Sequence, residues 1–494
     1  MKTNAGYLLG WLCLALCSAC QKVCDPPEPQ AADMISESTF TNPLIPRGAD
    51  PWVTQKNGKY YFTYTQGSKL VLYETTALSE LALAPQHDAW IPDPEGPYSK
   101  NIWAPELHEI DNKWYMYFAA DNGSNANHRM YVVENSSPDP MKGEWVLKGK
   151  VSDPSDQWAI DGTVFRHQNQ LYMLWSGGNA GAAPQHIYIA KMSNPWTIEG
   201  EKVAIASPLY PWEKNGGAIN EGPQVLINPN GQLLVVYSAS GFWVDTYCLG
   251  LLSLKVNGDP MNPGDWTKTP QPVFSMSAES GAYGPGHNGF FESPDGKEDW
   301  IIYHARSAPG GGSRNARIQR FTWNMDGTPN FGTPAKIGFP LEKPSGEPIR
   351  KIYRTEGWSI AGYSSEELVN DRLAIRLIDN NESTSWIARY STSPTNYPDH
   401  FVTVDMGRVL PVNGLYFVQK SGDRKIKELE LFVGDDNQTW ESVGVVKLLD
   451  LSPNRQYYNL PATRQFRYFK LVPVSGHDTQ SQPGLAEVGA FILP

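Results

Sequence analysis

Asn57-Gly58-Lys59-Tyr60-Tyr61-Phe62 and Asp111-Asn112-Lys113-Trp114-Tyr115-Met116 carry one pattern: a turn of Asx or Gly, then Lys or Gln, then an aromatic or aliphatic run. It returns at Gln168-Asn169-Gln170-Leu171-Tyr172-Met173, at Asn230-Gly231-Gln232-Leu233-Leu234-Val235, and at Asp295-Gly296-Lys297 ahead of Trp300-Ile301-Ile302. Asx and Gly accept the left-handed backbone of a tight turn, and aromatic and branched side chains suit a pleated strand. The turns start at 57, 111, 168, 230 and 295, so the hairpin repeats every ~60 residues. Further strands follow, as in Arg129-Met130-Tyr131-Val132-Val133 and His186-Ile187-Tyr188-Ile189-Ala190. Hairpins at a long fixed period, without sustained helical periodicity, predict propeller blades of about four strands each. The chain is therefore expected to be all-β, with a five-bladed β-propeller over residues 41–345.

The innermost strand of a blade lines the central channel, and its first residues face the axis. Just upstream of the five turns stand Asp50, Ala104, Asp161, Glu221 and His287, the last two at slightly larger offsets. Three carboxylates and a His at one register are hard to explain as packing, because uncompensated buried charge is costly. Such a ring is suited to glycosidic bond cleavage. That reaction needs an acid on the leaving oxygen and a base or nucleophile on the opposite face, and mutual repulsion lets one carboxyl stay protonated near neutrality. The residue types alone leave open which carboxylate does which task.

The rest of the chain bounds the setting. Of 494 residues, 40% are hydrophobic and 19% charged, which is a globular composition, and the net charge of −11 leaves no basic surplus for a nucleic-acid partner. Aromatics reach 12%, compatible both with β-rich cores and with apolar faces for sugar rings. Lys2 and the apolar run Tyr7–Leu16 form a signal segment over residues 1–20, too short for an ordinary membrane span. Its end, Leu16-Cys17-Ser18-Ala19-Cys20, resembles a bacterial lipoprotein signal with Cys20 as the lipidated residue, although Cys17 departs from the usual Leu or Val. Lipid anchoring in the cell envelope is expected, or secretion if Cys20 is not lipidated, with a tether over 21–40. Four of the five cysteines lie in this leader, so the body holds no disulfide framework, and Cys248 is expected in the core. After the linker Lys343-Pro344-Ser345-Gly346-Glu347-Pro348 the repeat ends, and short alternating strands over 351–494 predict a β-sandwich.

Ala49-Asp50-Pro51-Trp52-Val53, Trp103-Ala104-Pro105-Glu106-Leu107, Trp158-Ala159-Ile160-Asp161-Gly162-Thr163, Asn220-Glu221-Gly222-Pro223-Gln224 and Gly286-His287-Asn288 together resemble glycoside hydrolase family 43. The resemblance covers about 300 residues. It implies an inverting mechanism in which Asp50 is the general base, Glu221 the general acid and Asp161 the residue that raises and orients the acid. It makes Trp103 a sugar-stacking wall, Arg306 a contact to a substrate hydroxyl, and His287 the neighbour of a hydrated axial calcium. On charge alone, a protonated His287 paired with a carboxylate is the alternative to that cation. No organic cofactor is implied.

The members most resembled are α-L-arabinofuranosidases and β-xylosidases. The expected activity is exo-acting release of terminal arabinofuranose from plant-type glycans. A β-xylosidase with the same trio is the nearer alternative, and a non-catalytic glycan-binding surface lipoprotein the more distant one. The long Gly- and Pro-rich stretches 65–103 and 176–220 suit closure of the channel into an exo-acting pocket. The C-terminal region, through Leu377-Ile378-Asp379-Asn380-Asn381-Glu382-Ser383-Thr384-Ser385-Trp386 and Gly484-Leu485-Ala486-Glu487-Val488, resembles the discoidin-like jelly roll shared with family 32 carbohydrate-binding modules. That likeness makes Asp379, Thr384 and Glu487 candidates for a structural calcium.

Overall fold

A computed structural model describes residues 33–179, 182–391, 397, 399–452 and 454–493. The signal segment, Cys20 and most of the expected tether lie outside the described residues. The chain divides into two units, one of residues 37–349 and one of 350–494 together with residues up to 36.

The larger unit is a five-bladed propeller of four-stranded antiparallel sheets. The first blade comprises Trp52–Lys56, Lys59–Thr63, Leu70–Thr75 and Gln86–Trp90. The inner strands of the next four are Lys100–Ile110, Trp158–His167, Asn220–Ile227 and Tyr283–Glu292. Each blade is buried on both faces, so the middle of its second strand runs apolar, as in Trp114–Ala120 and Leu233–Tyr237, instead of alternating with polar residues. The period of two still sorts the side chains. In the second blade Trp114, Met116 and Phe118 enter the core shared with the first, while Tyr115, Tyr117 and Ala119 enter the core shared with the third. Five such cores, one per interface, complete the ring, and the last sets Tyr60 and Phe62 against Trp300, Ile302 and Ile318. Truncating one fully buried aromatic there, such as Phe62, costs about 3–5 kcal/mol. Closure is reinforced by Asn42, whose side-chain amide donates to the Ile318 carbonyl at 2.8 Å and accepts from the Ile318 N–H at 3.1 Å. Cys248 is buried, and burial pushes its thiol up to about 12.

The smaller unit is a β-sandwich around one core that includes Leu377, Trp386, Phe417, Leu431, Phe469 and Leu485. Its long strands Val402–Val418 and Arg455–Gly476 pair over most of their length, with register breaks that let them bend. The segment read as a tether ends differently from expectation. Met34–Glu37 is a strand beside Arg350–Tyr353 in the sandwich sheet, with Met34 packed on the core, and Thr39–Phe40 pairs with Leu341–Glu342. The strand at 34–37 is too short for its alternation to be read without its partner.

Candidate active site

The inner strands share a backbone device at their axial ends. Asp50, Ala104, Asp161, Gly222 and His287 all have positive φ, between 43° and 56°. In the last four blades the strand register slips at this point. A left-handed residue other than glycine is uncommon in a strand, and a repeated one marks a site that the surrounding fold holds in place. The device also corrects the register read from sequence. The fourth-blade counterpart of Asp50, Asp161 and His287 is Gly222, and Glu221 stands one residue earlier, level with Trp103 and Ile160. A side chain at 222 would be strained by its φ of 53° and would reach to 3.2 Å from His287 Nδ1. The bare backbone there lets the Gly222 N–H donate to Asp161 Oδ2 at 3.0 Å.

Asp50, Asp161, Glu221, His287 and Trp103 converge on one cavity of about 550 Å³. Asp50 accepts from Thr65 Oγ1 and from Arg314 Nη1, each at 2.7 Å. Burial would push its carboxyl up, but the Arg314 guanidinium outweighs this and holds it well below the usual carboxylate range. Glu221 accepts from Tyr247 OH at 2.7 Å. Burial, aided by the charge of Asp50 and opposed by that hydrogen bond, raises Glu221 to about 7. Asp161 is pushed well above the usual range by burial, then by the charges of Glu221 and Asp50. The cavity therefore sets a carboxylate kept ionised beside a carboxyl that keeps its proton to near neutrality, which is the polarity acid–base cleavage of an acetal requires.

Two supports are not visible in sequence. His304 Nδ1 accepts the Asp50 N–H at 3.1 Å, and burial lowers its imidazole to about 3, so it is neutral with its proton on Nε2. The same ring stacks on Tyr247, with centroids 5.7 Å apart and planes 8° apart. One stacked pair thus ties the backbone of Asp50 to the carboxyl of Glu221. His287 lies with Nδ1 3.4 Å from Asp50 Oδ1 and 4.0 Å from Asp161 Oδ2, while burial lowers its affinity for a proton. That favours the neutral imidazole over the paired imidazolium.

Trp103 lines the cavity with its indole stacked on His128 at 4.0 Å. Arg306 does not line it. Its guanidinium is buried, donating to Asp245 Oδ1 at 2.7 Å and to the Phe242 carbonyl at 3.2 Å. The arginine of the cavity is Arg314, from the turn before the third strand of the fifth blade, Asn315–Trp323. In the sandwich, Thr384 Oγ1 donates to both oxygens of Asp379 at 2.9–3.0 Å, and buried Glu487 accepts from the Asn380 and Asn381 N–H groups at 3.3 Å. The three candidates there are neighbours. Among the described residues no group of three or more His, Cys, Asp or Glu side chains is arranged to hold a metal ion.

Comparison with known proteins adds the following. The family model for glycosyl hydrolases family 43 matches residues 40–329, and the F5/8 type C domain model matches residues 361–488. An extracellular exo-α-(1→5)-L-arabinofuranosidase of Streptomyces avermitilis is 42% identical over 312 residues, which are 61% of this chain and 64% of that protein. An α-L-arabinofuranosidase of Humicola insolens is 36% identical over 311 residues, 60% of this chain and 64% of that protein. Among solved structures, an α-L-arabinofuranosidase from Lactobacillus brevis superposes with a TM-score of 0.58 at 38% identity, over 61% of this chain and 98% of that one. The chain thus spans just under two thirds of the length of these two curated relatives.

Proposed function

The chain belongs to the glycosyl hydrolases of family 43, and from that premise we propose that it is an exo-acting, inverting α-L-arabinofuranosidase. The observation that carries the proposal is the opposed state of two carboxyls in one cavity: Asp50 ionised beside Arg314, Glu221 protonated to about pH 7. Asp50 takes a proton from water, which attacks the anomeric carbon. Glu221 gives its proton to the departing glycosidic oxygen, and Asp161 orients that acid by accepting the N–H of the adjoining Gly222. Trp103 offers its free indole face to the terminal sugar. Arabinofuranose as that sugar rests on the curated relatives, which are named arabinofuranosidases.

The proposal includes calcium at two places. At the axis, neutral His287 beside ionised Asp50 and the carboxyl of Asp161 suits a hydrated cation, because calcium takes oxygen ligands readily and nitrogen poorly. In the sandwich, Asp379, Thr384 and Glu487 supply oxygens, and buried Glu487 lacks a cationic partner strong enough to keep it ionised, being pushed up to about 8 by burial and then by Asp379. Calcium would contribute fixed positive charge at both places. The curated relatives include extracellular enzymes, in keeping with export of this chain, and anchoring through lipidated Cys20 is part of the proposal.

A panel of 4-nitrophenyl α-L-arabinofuranoside, β-D-xyloside and β-D-galactoside tests the substrate, and proton NMR of the first-formed sugar tests inversion. The expected result is preference for the arabinofuranoside with the β-anomer appearing first. Preference for the xyloside would replace the substrate, and initial α-anomer would replace the mechanism. Chelation should lower the thermal midpoint, and added calcium should restore it.

A further inference from the structure

The loop from Ser240 to Tyr247 serves the acid at one end and stands at the cavity mouth at the other. Tyr247 donates to Glu221. Four residues earlier, Trp243 lines the same cavity and is 52% exposed. About half of the indole is therefore left as apolar surface at the mouth of the cavity, where a bound ligand can cover it.

Its setting is built. The ring is packed against three glycines. A Cβ at Gly241 would come to 2.6 Å from the indole, one at Gly216 to 3.0 Å, and one at Gly217 to 3.8 Å. The loop itself is anchored by buried Arg306, through the Phe242 carbonyl and the Asp245 carboxylate. The adjacent Phe242 meets the indole edge-on at 5.2 Å and carries the Arg314 guanidinium on its own ring at 4.5 Å. Phe242 therefore backs the base's arginine. Trp243 stands beside the chain that leads into the acid's strand, since a Cβ on Gly216 or Gly217, five and four residues before Glu221, would come to 3.0 and 3.8 Å from its indole.

A general acid must reach the oxygen of the departing group, so the leaving sugar lies on the acid's side of the cavity. We infer that Trp243 is the platform of the leaving-group subsite, stacking its free face on the second sugar of the glycan. This rests on the glycosidase reading above. An aromatic ring on an anchored loop offers apolar area at low conformational cost, which suits the C–H face of a sugar. The platform would make cleavage of a sugar–sugar bond more efficient than cleavage of a bond to a small alcohol.

The test compares α-1,5-L-arabinobiose with methyl α-L-arabinofuranoside as substrates of the full chain. In Trp243→Ala, kcat/KM for the disaccharide should fall about ten-fold relative to that for the methyl glycoside, the scale of one lost aromatic face. Trp243→Phe should recover most of the ratio. Thermal midpoints of both variants establish that they are folded. An unchanged ratio, whether both substrates suffer equally or neither does, would overturn the subsite. Wild-type protein inert on both substrates would instead sink the arabinofuranosidase reading, and the sugar assigned to the platform with it.

Discussion

Arg314→Met should move the acidic limb of the pH–rate profile upward, because the guanidinium is what keeps Asp50 ionised. The contact is 2.7 Å and the Asp50 side chain is almost wholly buried, so the lost partner is not replaced by bulk water. An opposite charge this close typically lowers a carboxyl by about 1–3 units. The Arg314 side chain is 22% exposed, which screens part of the effect, so the limb should move by less than a fully buried pair would give. The sign follows from the role. A base works only when ionised, so wild-type kcat/KM should hold until the pH falls well below the usual carboxylate range. In the variant it should already decline as the pH falls through the raised value. The assay is kcat/KM on 4-nitrophenyl α-L-arabinofuranoside from about pH 3 to 8, since nitrophenolate departs with little help from Glu221 and leaves the Asp50 limb isolated. Arg314→Lys should give a smaller shift, with the charge kept and the fork geometry lost. A folded Arg314→Met protein whose acidic limb coincides with wild type would refute the pairing of Arg314 with the base.

Glu221→Gln should lose roughly 10²–10⁴-fold on arabinobiose and far less on the nitrophenyl glycoside, whereas Asp50→Asn should disable both; equal losses across leaving groups for Glu221→Gln would remove it as the acid. Tyr247→Phe keeps the stack on His304 but deletes the bond that favours ionised Glu221, so the descending limb near pH 7 should move up on the disaccharide, and an unmoved limb would contradict that bond's role. Arg306→Met should reduce the thermal midpoint, a loss on the order of 1–3 kcal/mol for an unpaired Asp245 that is partly exposed, while leaving the acidic limb where it is; a limb shift like that of Arg314→Met would show that Arg306 does act on Asp50. A propeller truncated at 349 but still starting at residue 33 should aggregate more than one starting at 38, as read by light scattering, because Met34–Glu37 would have lost its partner strand.

Much of this protein is local information. The Asx–Gly turns and the apolar strands after them act over a few residues, so the five hairpins and their period could be read directly, and with them the blades. The three carboxylates could be found because each precedes a turn by nearly the same distance and a propeller brings those places to one axis. The change of style near Pro344 marked the second unit for the same reason, since alternation is a property of a single strand.

What the tertiary structure decided are relations across long separations. Asp50 and Arg314 are 264 residues apart and meet because the fifth blade closes on the first. Sequence pointed to Arg306 instead, and only the fold shows that its guanidinium is spent on anchoring the Phe242–Asp245 loop. The left-handed backbone at Gly222 shifts Glu221 one place from the position that counting assigns, because a register slip in a strand leaves no mark on residue spacing. Proton affinities were beyond sequence for a related reason. Asp50 and Glu221 are both buried carboxyls, and they part company through the Arg314 guanidinium beside the first and the Tyr247 phenol and the charge of Asp50 beside the second, neighbours that only folding supplies. Side-chain type and strand pattern are written along the chain, whereas the electrostatic state of a site is a sum over neighbours in space, and that sum exists only once the ring has closed.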